Sequence, residues 1–341
     1  MVQSFPLSTH TTYQDLLQAH AVQAISDIPG KPFLRDMGKK GKYWYARQRI
    51  GDKTTQKYIG PDTEEIRERI NTAKAANEEA QAFERRCASM VAQLRAAGVP
   101  ALDRDTGKVL NAMAKSGVFR LGGTLIGTHA FRLYSAELGV RFDNTLAVTG
   151  DVDIAAFENL KLVIEDEVDP ALPETFKDLN LKPAPGLDRK NRPTKWVMGR
   201  GGGTEVEFLV PRMLEDSSTL KLEPLGVYAQ ALPFLNFLIA GPIQAVALYR
   251  SGVLVQIPRP ERYAVHKLIV AARRHASSAL KAKKDLAQAE VLFEVLSEDR
   301  PADLADALET GLKKGPAWKE AIDASRKKSA QIKRIMADIL G

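Results

Sequence analysis

Asp151 and Asp153 stand two residues apart, with Val152 between them and Ile154 after. In a strand, the period of two turns both carboxylates to one face. Two carboxylates a few ångströms apart repel, so the arrangement is costly without a cation. A hard divalent ion bound through oxygen, such as Mg²⁺ or Mn²⁺, relieves that cost. Glu205 and Glu207, in the run Glu-Val-Glu-Phe-Leu-Val-Pro, share a face in the same way. Either could add a third carboxylate from a neighbouring strand. Upstream, Ile126-Gly127-Thr128 joins an expected strand to an expected helix. Glycine there lets backbone N–H groups approach a phosphate, Thr128 offers a hydroxyl, and a helix N-terminus favours an anion.

Each piece alone is weak. An Asp-x-Asp pair is common, and it usually marks a solvated strand end. Leu121-Gly122-Gly123-Thr124 rivals the Gly-Thr pair, and Gly201-Gly202-Gly203 reads best as a flexible turn before a strand. Lys195 and Arg200 flank that turn and read equally as solvated loop charges. Trp196 fits sheet packing better than base stacking. Tyr134 fits an apolar helix face with Phe131 and Leu138. His129 is as good a packed histidine as a phosphate contact. Cys87, beside Arg85 and Arg86, has no assigned role.

The elements that must position these groups follow from pattern and punctuation. A helix is expected over 11–29, ended by Pro29-Gly30. Tyr43–Ile50 and Lys57–Ile59 around Gly51-Asp52 read as a β-hairpin. Its aromatic and basic side chains alternate as they do on many nucleic-acid-binding surfaces, and equally as in a hairpin packed on a helix. Asp62 or Thr63 caps a long polar helix reaching about Ala97, with a boundary at Gly98-Val99-Pro100. Over 103–211 the order is a helix at 103–116, strands at Val118–Leu121 and Thr124–Ile126, and a helix at Thr128–Leu138. Strands at Leu146–Val148 and Val152–Ala155, a loop-rich 179–193 and a strand at Val206–Val210 complete it. Strands alternating with helices suggest one sheet domain. Tyr228–Ile239 reads as helical, Ala245–Leu248 and Val253–Ile257 as a strand pair. Beyond Pro258 the chain reads as helical, with breaks near Pro301 and Gly315-Pro316.

The order strand, Gly-Thr, helix, Asp-x-Asp strand, acid-bearing strand and Pro resembles the nucleotidyltransferase fold of the DNA polymerase β superfamily. The likeness is greatest to a group of bacterial and phage nucleotidyltransferase-like proteins. It spans roughly residues 40–285, through the Tyr-Trp-Tyr, Gly-Thr-His-Ala-Phe, Asp-Val-Asp and Glu-Phe-Leu-Val-Pro stretches. More distantly the chain is similar to abortive-infection toxin nucleotidyltransferases of the AbiEii type, with His266-Lys267-Leu268 and Lys284-Asp285 matching their Lys and Lys-Asp helices.

The resemblance implies an α+β fold: a mixed sheet with flanking helices, an N-terminal hairpin and long-helix arm (1–100), a catalytic domain (101–225) and a mainly helical C-terminal domain (226–341). It further implies that Gly127 and Thr128 hold the triphosphate of an NTP. Asp151, Asp153 and Glu207 would bind metal, Glu207 also activating the acceptor hydroxyl. Lys267 and Lys284 would contact the nucleotide, and Asp285 would orient a base or a nearby Lys. The third acid is Glu rather than the commoner Asp, and 139–147 reads as an insertion. The implied reaction is in-line attack of a hydroxyl on the α-phosphate, with loss of pyrophosphate.

Composition sets the outer bounds. The 341 residues carry 49 Lys+Arg, 42 Asp+Glu and one cysteine, so intrachain disulfides and a cysteine-based zinc site are excluded. No apolar run reaches the roughly 18 residues that span a membrane. Without a basic or apolar leader at the N-terminus, a cytoplasmic protein is expected. The net +7 conceals an asymmetry. Residues 31–57, 261–284 and 312–335 carry +19 between them, leaving −12 elsewhere, of which −7 falls in 151–178. Basic segments around an acidic centre suggest a polyanionic acceptor, RNA and tRNA in particular. The competing expectation is a non-catalytic nucleic-acid-binding or toxin–antitoxin component on the same scaffold.

Overall fold

The structure is a computed structural model describing residues 2–21, 31–38, 41–50, 53–147, 151–157, 171–186, 188, 190–199, 203–212 and 218–340. Several expected features fall outside these residues. They are the end of the first helix with Pro29-Gly30, the Gly51-Asp52 turn, Thr149-Gly150, most of the acidic segment after 157, and Arg200-Gly201-Gly202.

In chain order, β1 (Gln3–Ser4) leads into α1 (Leu7–Ala21), and the hairpin strands β3 (Lys42–Ile50) and β4 (Lys53–Pro61) are joined by β2 (Lys31–Asp36) into a three-stranded antiparallel sheet. The helix α2 (Glu64–Ala96) starts where the Thr63 hydroxyl accepts from the Ile66 N–H at 3.4 Å. At 33 residues it is about 50 Å long. Its first turns pack Ile66 and Ile70 on Trp44 and Ala46 of the sheet. Its last turns pack Cys87, Val91 and Leu94 on Tyr13 and Leu16 of α1. Cys87 is thus a buried packing residue.

Next come α3 (Arg104–Lys115), capped by Asp103, then β5 (Thr124–Ile126), α4 (Gly127–Glu137), β6 (Val140–Arg141) and β7 (Asp151–Ala155). After these lie α5 (Leu172–Asp178), β8 (Leu181–Pro183), β9 (Lys195–Met198), β10 (Glu205–Pro211), β11 (Thr219–Leu222) and β12 (Val227–Leu232). The chain ends with α6 (Leu235–Leu238), the hairpin β13 (Ile243–Ala247) and β14 (Val253–Ile257), α7 (Pro260–Arg273), α8 (Ala279–Asp299), α9 (Pro301–Leu312), α10 (Pro316–Arg326) and α11 (Ala330–Leu340).

The main sheet runs β11-β12-β10-β7-β5. β9 lies beside the first half of β10, and β8 beside β9. β7, β10 and β12 are parallel, whereas β5, β9 and β11 are antiparallel to their neighbours, so the sheet is mixed and the fold is α+β. Val152, Ile154, Val206 and Phe208 are fully buried. They belong to one apolar cluster that extends from Val109 in α3 to Met336 in α11. By strand alternation Asp151, Asp153, Glu205 and Glu207 occupy the opposite face.

Four sequence expectations fail for local reasons. Val118–Leu121 is a turn, closed by Gly122 N–H to Phe119 O (3.2 Å) and Gly123 N–H to Val118 O (2.9 Å). Leu146 lies in a short 3₁₀ turn (Asn144–Ala147), because the Asp143 carboxylate accepts from both the N–H and the hydroxyl of Thr145. The start of the expected helix Tyr228–Ile239 is strand β12. There Val227, Ala229 and Ala231 are buried in alternation with half-buried Tyr228, Gln230 and Leu232. The first helix starts at Leu7, because Pro6 O accepts from the Thr9 N–H (2.9 Å) and opens the turn early.

Candidate functional site

The strand register builds the acidic face. β7 and β10 pair in parallel with Asp151 opposite Glu205 and Asp153 opposite Glu207. Across β7, Ile126 of β5 lies opposite Asp153; across β10, Lys195 of β9 lies opposite Glu207. Paired residues point to the same side of a sheet, so Lys195, Glu207 and Asp153 form one row and Glu205 and Asp151 the next. The Lys195 ammonium donates to Glu205 Oε2 at 2.8 Å and lies 3.9 Å from Glu207 Oε2. Lys195 is therefore an ordered counter-charge rather than a solvated loop residue.

Crowding like charges on a half-buried face has the expected electrostatic result. Burial, with the charges of Glu207 and Asp151, raises the Asp153 carboxyl to about 6, against the opposing pull of Lys267 and Lys195. Burial also raises Glu207, with Lys195 opposing and Asp151 and Glu205 adding to the rise. Among the described residues, no three His, Cys, Asp or Glu side chains converge closely enough to hold an ion as they stand. The donor set is nevertheless all carboxylate oxygen, and its repulsion is the kind a divalent cation relieves.

The helix start packs directly against these acids. Gly127 has φ +66°, the left-handed region that favours glycine, and a Cβ there would overlap Asp153 Oδ2. The Tyr263 hydroxyl of α7 donates to Gly127 O at 2.9 Å, and its ring meets Tyr134 edge-on at 5.2 Å. The Lys284 ammonium of α8 donates to Thr128 Oγ1 at 3.3 Å. Lys267 donates to Asp285 Oδ1 at 2.5 Å and Arg274 to Asp285 Oδ2 at 2.7 Å; Asp285 is only 3% exposed. All eight residues singled out from the sequence thus belong to one connected neighbourhood. Asp151, Asp153 and Glu207 are linked by the sheet, and Gly127, Thr128, Lys267, Lys284 and Asp285 by contacts across α4, α7 and α8.

Two participants were not anticipated. Tyr263 sits one turn before Lys267 on α7, and that i, i+4 spacing was its available signal. Arg274 ends the same helix, and nothing in the linear pattern ties it to Asp285. The weaker alternatives resolve as packing. Trp196 meets Phe208 edge-on at 5.4 Å, and the Tyr134 hydroxyl donates to Pro258 O at 2.8 Å. Gly123 is packed on Val118 in a turn.

His129 follows Thr128 but is 1% exposed, and neither ring nitrogen has a hydrogen-bond partner among the described residues. Burial leads in lowering it to about 4, with Arg132 and Lys284 assisting and Asp103 opposing. The folded chain thus holds the ring neutral, whereas the unfolded chain takes up a proton below its ordinary 6.5. Stability from this group is complete above pH 6.5 and is lost as pH falls towards 4. His129→Met should leave urea-unfolding stability at pH 7.5 equal or higher and remove on the order of 2–3 kcal/mol of acid sensitivity by pH 4.5. An undiminished acid loss in that variant would show that another group is responsible.

Comparison with known proteins places the chain in a family. Residues 104–313 match a nucleotidyltransferase family model, and residues 12–68 match a domain of unknown function. No curated protein matches the chain. A solved antigenic nucleotidyltransferase-like protein from Paracoccidioides brasiliensis aligns at TM-score 0.34 and 15% identity, over 66% of this chain and 95% of that one. No described helix is long and apolar enough to cross a membrane. The family match runs from the first residue of α3 to just past α9, more than half of the chain, and the chain belongs to the nucleotidyltransferase family.

Proposed function

We propose that this chain is a metal-dependent nucleotidyltransferase that moves an NMP group from an NTP to an acceptor hydroxyl and releases pyrophosphate. One observation carries the reading: the parallel register of β7 and β10 sets Asp153 beside Glu207, with the Gly127 helix start packed on Asp153. Asp151, Asp153 and Glu207 would hold Mg²⁺ or Mn²⁺, which when bound offsets charge on the triphosphate and on the attacking oxygen. Gly127 and Thr128 present backbone N–H groups and a hydroxyl to the phosphates at the start of α4. Lys267 and Lys284 add positive charge on the same side, and Asp285 fixes Lys267 and Arg274 in place. Tyr263 pins the Gly127 carbonyl and so holds the loop against the acids. Glu207, raised by its surroundings, accepts the proton of the acceptor hydroxyl. Lys195 steadies the acids before a cation arrives.

On this reading residues 101–225 form the catalytic domain, 226–341 the helical domain that supplies the lysines, and 1–100 the arm. The basic segments support RNA, tRNA in particular, as the acceptor. The test is incubation with each α-labelled NTP, Mg²⁺ and total cellular RNA or protein. Label is expected in RNA from one or two of the four nucleotides and in nothing when the divalent ion is chelated. No labelled fraction with any nucleotide would refute the reading.

A further inference from the structure

The three-stranded sheet β2–β3–β4 has two unlike faces. On one, Trp44 and Ala46 pack on Ile66 and Ile70 of α2. Strand alternation sends Tyr43, Tyr45 and Arg47 the other way. The register of β2 with β3 sets Phe33 opposite Tyr45 and Arg35 opposite Tyr43, so these residues share the face turned away from α2. There the Phe33 and Tyr45 rings stack at 6.0 Å and 28°. The Arg47 guanidinium carbon lies 4.8 Å from the Phe33 ring centre, and that of Arg35 5.7 Å from Tyr45. Arg35 and Arg47 are exposed.

A guanidinium held over a ring is already ordered, and its N–H fork can meet a phosphate. An aromatic face accepts any base that has left its own stack. Residues 31–57 hold nine basic and two acidic side chains, and one of those acids, Asp36, is engaged by the Gly38 N–H at 2.8 Å. The face therefore pairs stacking surface with positive charge. Duplex bases are already stacked on one another and offer no free ring faces.

We infer that this face binds a single-stranded segment of nucleic acid, with Phe33 and Tyr45 stacking bases and Arg35 and Arg47 meeting the adjoining phosphates. The surface does not require the transfer chemistry. Fluorescence anisotropy of the full chain with single strands of about 12 nucleotides, as RNA and as DNA of one sequence, and with the matching duplex, tests it. One or both single strands are expected to bind more tightly than the duplex, with affinity falling steeply as salt rises. Phe33→Leu or Tyr45→Leu keeps an apolar side chain in the sheet and should weaken binding about tenfold at an unchanged melting temperature. The double variant Arg35→Gln/Arg47→Gln should weaken it further and lower the salt slope by about two. NTP binding should be unaltered in all three variants, which separates this surface from the transfer site. Duplex binding as tight as single-strand binding, or affinity unchanged in the three variants, would overturn the inference.

Discussion

Asp153→Asn is expected to lower nucleotidyl transfer by about three orders of magnitude while raising the melting temperature of the metal-free protein. The two effects share one cause. Asp153 lies on a face crowded with Glu207 and Asp151, and burial with those neighbours raises its carboxyl to about 6. Ionised at neutral pH, it is a cost to the bare fold, and an uncharged amide removes the repulsion for a gain on the order of 1–2 kcal/mol. The same change removes one of the carboxylate oxygens proposed to hold the metal. A bound divalent ion contributes several kcal/mol of charge stabilisation, which at about 1.4 kcal/mol per tenfold is the loss expected. Asp151→Asn should cost similar activity with a smaller gain in stability, because Asp151 is exposed. Transfer unchanged in both variants would remove the acids from the chemistry. A lower melting temperature for Asp153→Asn would make Asp153 a structural residue instead.

Gly127→Ala is expected to be the second most damaging single change. The backbone there sits at φ +66°, which costs an L-residue roughly 1–2 kcal/mol, and the new Cβ would overlap Asp153 Oδ2. Relief requires the Asp153 carboxylate or the start of α4 to move, and a shift of about 1 Å in a reacting group costs about a hundredfold in rate. Gly226 is the internal control. It has the same φ of +66° but nothing within 4 Å of its added Cβ. Gly226→Ala should therefore lose similar backbone stability in a urea melt and keep its transfer rate. Equal rates for Gly127→Ala and wild type would show that the contact with Asp153 is not needed.

The acidic strands were legible because apolar residues flank each carboxylate, and period two leaves little choice of face. The Gly-Thr pair was legible by its place between a strand and a helix. Two contacts join residues that only the resemblance had singled out. Lys267 and Asp285 lie 18 residues apart in sequence and meet because α7 and α8 pack together. Lys284 reaches Thr128 across 156 positions, which no local pattern encodes.

Short elements misled most. The start of β12 reads as helix because Tyr228, Leu232 and Leu235 also suit an apolar helix stripe, and only its pairing with β10 on one side and β11 on the other fixes the strand. β8 and β9 lie partly in a Pro-rich stretch whose backbone finds partners in each other and in β10. The choice between Glu205 and Glu207 could not be made from sequence, because both share a face. Register sets Glu207 beside Asp153 and Glu205 beside Asp151, and Glu205 takes the shorter ion pair with Lys195, which supports Glu207 as the proposed third acid.

The most direct measurement follows one NTP labelled in turn at its α- and γ-phosphates, with acceptor RNA and Mg²⁺, in wild type and Asp153→Asn. Wild type should place the α-label in the acceptor and release the γ-label as pyrophosphate in equal amounts, and Asp153→Asn should do neither. Release of γ-label as orthophosphate, or γ-label in the acceptor, would contradict nucleotidyl transfer and mark a different phosphoryl chemistry.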